Sequence, residues 1–94
     1  MYRVGVMEIE LHLPTAHSLK EKRSLLKGPI ERVRDRFNVS VIELPGRDGW
    51  QRATVTAACI ANGTEQTRQT LEKVANYFER ADGLVILESH IEML

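Results

Sequence analysis

The period of the hydrophobic pattern changes four times along this chain, and that succession restricts the fold more than any composition figure does. Residues 7–13 alternate, with Met7, Ile9, Leu11 and Leu13 on one side and Glu8, Glu10 and His12 on the other, which predicts a half-buried strand. Pro14 ends it. Ser18, followed three residues later by Glu21, has the form of a capping box, in which each side chain satisfies an orphan amide of the first turn. Leu19, Leu26, Ile30, Val33 and Phe37 then recur at helical spacing, so a helix is expected from Ser18 to about Phe37. Gly28-Pro29 interrupts that pattern. A proline there removes one intrahelical hydrogen bond and crowds the Leu25 carbonyl, which predicts a kink or a break.

Val39–Leu44 is β-branched and apolar, residues 45–49 are rich in turn formers, and Arg52–Ala61 is a second apolar run. Together they predict a hairpin. Thr64 is the expected cap of a second helix, whose buried stripe is Leu71, Val74, Ala75 and Phe78, and Gly83 is its expected stop. Residues 84–93 form the last strand. The order βαββαβ implies an α+β, ferredoxin-like domain over residues 1–94: a four-stranded antiparallel sheet in the order 4-1-3-2, with both helices on one face. A chain of 94 residues has room for one such core, burying about 60 to 65% of its unfolded surface.

With both helices on one side, the other sheet face is left open. Glu8, Glu10 and His12 of the first strand should lie beside Glu88, His90 and Glu92 of the last. Val4, Val6, Ile42, Leu44 and Ile60 should share the same face, more apolar surface than a monomer comfortably exposes. These five residues are the expected surface of a homodimer.

The formal charge is zero, but it is unevenly spread: residues 18–37 carry +4 and the remainder −4. Lys20, Arg23, Lys27 and Arg34 fall within about 60° of one another on a helix. The topology also brings the start of the first helix and the tip of the hairpin to one edge. Lys20, Lys22, Arg23, Lys27, Arg34, Arg47 and Arg52 are therefore candidate phosphate ligands, near a helix N-terminus whose free amides favour anions, and Trp50 is a candidate for stacking on a base.

Other classes of function are disfavoured. A recognition face of the RRM type needs exposed aromatics on the central strands, and the five aromatics here (Tyr2, Phe37, Trp50, Tyr77, Phe78) are not placed for it. There is no glycine-rich phosphate loop and no nucleophile with an evident histidine partner, so no catalytic residue is assigned. His12, His90, Glu10 and Glu88 are better explained as solvated strand residues than as metal ligands, and no cofactor is expected. The single cysteine, Cys59, fits core filling. The longest apolar run is far short of the roughly 20 residues that span a bilayer, and residues 1–6 do not resemble a secretory leader, so a cytoplasmic location is expected.

Three motifs in order, Ser18-Leu19-Lys20-Glu21-Lys22-Arg23, Phe37-Asn38-Val39-Ser40-Val41 with Glu43, and Asp48 with Trp50-Gln51, closely resemble the YlxP-like family of small bacterial proteins, a domain of unknown function. The resemblance spans essentially the whole chain. It implies a ferredoxin-like fold and a gene neighbourhood containing translation initiation factor two and ribosome-binding factor A, with no established activity. The first expectation is accordingly a non-catalytic module that binds RNA or a ribosomal subunit. The alternatives are a homodimeric protein-interaction module and a small-molecule sensor of the kind that shares this topology.

Overall fold

The computed structural model describes residues 1–46 and 49–94. Its elements are β1 (Arg3–His12), α1 (Leu19–Arg36), β2 (Val39–Leu44), β3 (Arg52–Ala61), α2 (Thr64–Arg80) and β4 (Val85–Met93). The strands form one antiparallel sheet in the order β2-β3-β1-β4, which is the expected 4-1-3-2 read from the opposite edge. The architecture is ferredoxin-like.

β1 begins four residues before the alternating stretch. Val4 and Val6 put apolar side chains on the outward face, and inward-facing Gly5 has none, so the alternation fails although the strand continues. Gly5 is where α2 approaches most closely: a Cβ there would lie 2.9 Å from Thr67 and 3.1 Å from Leu71. The Thr67 hydroxyl spans the same junction, donating to the carbonyls of Gly63 (2.9 Å) and Arg3 (3.3 Å).

Met7, Ile9 and Leu11 of β1, Val41 of β2, and Val55, Ala57 and Cys59 of β3 point to one side of the sheet. They are buried with Leu26, Ile30 and Val33 of α1 and Leu71, Val74 and Phe78 of α2. Against expectation, α1 runs unbroken through Pro29. The Pro29 ring is itself buried, so apolar burial offsets the lost hydrogen bond, and Gly28 has no Cβ to meet the proline ring. Leu19, expected on the buried stripe, is exposed.

The helix starts differ in chemistry. The Ser18 hydroxyl accepts from the Glu21 amide at 3.0 Å, and the Glu21 carboxylate accepts from the His17 amide at 2.7 Å. The capping box therefore closes one residue earlier than its usual form. The cap of α2 is Gly63 rather than Thr64, and it makes no side-chain cap bond. Gly83, at φ +81°, turns the chain from α2 into β4, a conformation that a glycine adopts without a steric penalty.

The two sheet edges differ too. Asn38 donates to the Ile60 carbonyl at 3.0 Å; with β2 and β3 paired Val39↔Cys59 and Val41↔Ala57, this places the Val41 carbonyl on the outer edge of β2. Arg34 of α1 reaches over and donates to it at 2.6 Å. On the other side β4 is the outermost strand, and a register irregularity falls between Glu10 and Leu11 where β1 meets it.

Candidate nucleic-acid interface

The segment entering α1 and the end of the β2–β3 hairpin are stitched together by backbone groups, which occurs because β1 and β2 run in the same direction and finish at the same end of the sheet. The Leu13 amide donates to the Gln51 carbonyl at 2.9 Å, and a ring nitrogen of His12 lies 3.1 Å from the same oxygen. The Gln51 side-chain amide donates back to the carbonyls of Pro14 (3.2 Å) and Ala16 (3.1 Å). Gln51 is thus the positioning residue of this pole.

Lys22 is a second stitch, and this corrects its assignment as a phosphate ligand. Its ammonium group is 3.6 Å from the Glu43 carboxylate and donates to the Gly49 carbonyl at 3.4 Å, and the residue is only 4% exposed. A buried cation held by a carboxylate and a carbonyl is retained by the fold, since freeing it would strand its partners.

The other candidates divide. Lys20, Arg23 and Lys27 are exposed along α1. Arg23 also lines a cleft of about 380 Å³ with Leu19, Lys22, Glu43, Leu44 and Pro45. Trp50, between the two stitched residues Gly49 and Gln51, is 46% exposed. Arg34 is engaged at the β2 edge, and Arg52 lies 3.5 Å from Glu10 on the open sheet face. Arg34 is thereby held away from the pole, whereas Arg52, next to Gln51 and paired with His12, turns to the open face with its side chain still 53% exposed. Arg47 and Asp48 lie outside the described residues.

Two basic residues of α1 that the sequence did not single out assemble elsewhere. Arg32 donates to the Tyr77 hydroxyl at 2.5 Å, the Arg36 guanidinium sits 5.5 Å from the centre of the same ring, and Phe37 packs edge-on against it at 6.5 Å. Gly28 leaves the space that Arg32 occupies, with a guanidinium nitrogen 3.0 Å from where a Cβ would stand. Spacing on α1 hints at Arg32–Arg36, but Tyr77 belongs to another element.

On the open face Glu10 is held by the Thr54 hydroxyl as well as by Arg52. Val4, Val6 and Leu44 are half-buried, whereas Ile42 and Ile60 are 54% and 50% exposed. Among the described residues no group of three metal-ligating side chains is found, and no helix is long and apolar enough to cross a membrane. Cys59 is buried; burial pushes its thiol pKa up, with a hydrogen bond to Thr70 acting in the opposite direction.

Solved structures of similar shape share the fold at low identity. The C-terminal segment of the alpha subunit of aIF2 from Pyrococcus abyssi superposes with a TM-score of 0.53 at 17% identity, covering 99% of this chain and 49% of that one. SnoaB, a cofactor-independent oxygenase from Streptomyces nogalater, superposes with a TM-score of 0.55 at 10% identity, covering 97% and 90%. In sequence, the uncharacterized protein YlxP of Bacillus subtilis (strain 168) is 37% identical over 76 residues, which is 81% of this chain and 83% of that protein. The model of a protein family of unknown function, DUF503, matches residues 4–91, and this chain belongs to that family.

Proposed function

We propose that the protein is a non-catalytic RNA-binding module of the cytoplasm, associated with the ribosome, in which Lys20, Arg23 and Lys27 neutralise phosphates and Trp50 stacks on an exposed base. The observation that carries this reading is the stitched pole. Gln51 and Lys22 hold the hairpin against the start of α1, so that Lys20, Arg23 and the Trp50 indole lie unburied at one end, and Lys27 continues the cationic stripe about two turns along the helix. Preorganisation of this kind lowers the cost of ordering side chains on binding. The α1 cations carry one sign along one stripe, the electrostatic footprint of a polyanion site, and the gene neighbourhood implied by the family resemblance directs attention to ribosomal RNA.

A filter-binding titration against structured ribosomal RNA tests it. Replacing Lys20, Arg23 and Lys27 together by alanine should weaken binding at least about tenfold and flatten the dependence of log K on log salt by about 2 to 3 units. Trp50→Ala should cost a further loss of about 1 to 3 kcal/mol without changing that slope. Binding indifferent to the triple replacement overturns the proposal.

A further inference from the structure

β4 is a bare edge beside a guarded one. The Leu94 amide donates to the Val4 carbonyl at 2.9 Å, and β1 and β4 pair Val6↔Glu92, Glu8↔His90 and Glu10↔Glu88. In an antiparallel ladder, backbone groups turn toward the neighbouring strand at every second residue. Residues 88, 90, 92 and 94 therefore use their amides and carbonyls on β1, while Ser89, Ile91 and Met93 present theirs outward. At the opposite edge the Val41 carbonyl is occupied by Arg34. Leu87, beside the register irregularity, is 49% exposed.

We propose that this edge pairs with the same strand of a second copy, antiparallel about a two-fold axis at Ser89, to make a continuous eight-stranded sheet. A two-fold axis perpendicular to a sheet keeps each residue on its own face, so the axis must pass through a residue position rather than between two, and the side chains decide which one. An axis at Glu88 sets that carboxylate against its own copy. An axis at His90 opposes Glu88 and Glu92 twice. An axis at Ile91 places His90 opposite Glu92 but leaves Glu88, the neighbour of Glu10 on β1, without an imidazole. An axis at Ser89 gives two reciprocal pairs of Glu88 with the imidazole of His90 on the open face. The like-charge neighbours Glu10 and Glu88 within one sheet then acquire an imidazole alongside. The Ser89 amide and carbonyl, both outward, exchange hydrogen bonds across the axis. This pairing leaves the α1 and hairpin pole of each copy open, so it stands or falls independently of RNA binding.

Sedimentation velocity of the full chain across micromolar concentrations should show a monomer–dimer equilibrium. Ser89→Pro removes the outward amide at an edge position that tolerates proline, and it should give a monomer with an unchanged far-UV spectrum. His90→Glu should weaken dimerisation about tenfold or more, because both symmetric pairs change at once. The swap Glu88→His with His90→Glu recreates the pairs in reverse and should restore most of the affinity. Ser89→Cys should form an intermolecular disulfide under mild oxidation, the native Cys59 being buried. A strict monomer at every concentration overturns the proposal. So does a dimer that survives both Ser89→Pro and His90→Glu, or one abolished only by Ile42→Asp with Ile60→Asp, which would place the contact on the open face.

Discussion

The two helices lie on the same side of one sheet and serve it differently. α2 packs across β1, β3 and β4, and its buried residues Thr67, Leu71, Val74 and Phe78 meet the centre of the core. α1 leans on β2 and the flank of α2, contributes Leu26, Ile30 and Val33, and carries most of the positive charge. A helix seated over the middle of a sheet is constrained on its whole inner face, while one at the margin keeps more of its circumference free for a partner. The division between holding the fold and meeting a ligand follows from position rather than from helix length, since the two differ by a single residue.

Mutations probe that division directly. Phe78→Ala, which empties a fully buried site under α2, should cost about 3 to 5 kcal/mol in urea unfolding, and Leu25→Ala, half-buried on α1, clearly less. Equal costs would erase the distinction. Next in size is the place where α1 contributes a buried charge to the fold. Glu43→Ala strands the Lys22 ammonium and should cost about 1 to 3 kcal/mol. Lys22→Met removes the charge and keeps the volume, so it should stay within about 1 kcal/mol of the parent and leave RNA affinity unchanged. If Lys22→Met abolishes binding, this lysine belongs to the interface after all. The helix starts set the finest scale. Ser18→Ala should lose about 1 kcal/mol, whereas Gly63→Ser, which adds the missing cap to α2 at an extended φ of −157°, should gain about 0.3 kcal/mol. Its new Cβ would displace only the Gln66 side-chain amide.

The order of elements was legible because each strand or helix carries its own period, and the sheet order follows from handed crossovers. What escaped depends on residues far apart in sequence. Pro29 looks like a breaker until the buried position of its ring is known. Lys22 is indistinguishable by type from Lys20 two residues earlier, and only the placement of Glu43 and Gly49 beside it separates a buried stitch from an exposed cation. Arg34 falls on the same angular stripe as Arg23, yet it lies level with the edge of β2 and is drawn to a carbonyl. The meeting of α1 with the hairpin was predictable from strand direction alone. The contribution of Gln51, whose amide reaches two carbonyls of another loop, was not.

The guanidinium clasp of Arg34 also bears on how large an assembly could become. A molecule with two uncapped margins can recruit neighbours on both flanks and grow into a fibre. Here a side chain of the same chain covers one carbonyl of the β2 margin, so a strand arriving there would have to displace it first. If β4 pairs with its copy as proposed, that obstacle favours stopping at two molecules over further accretion.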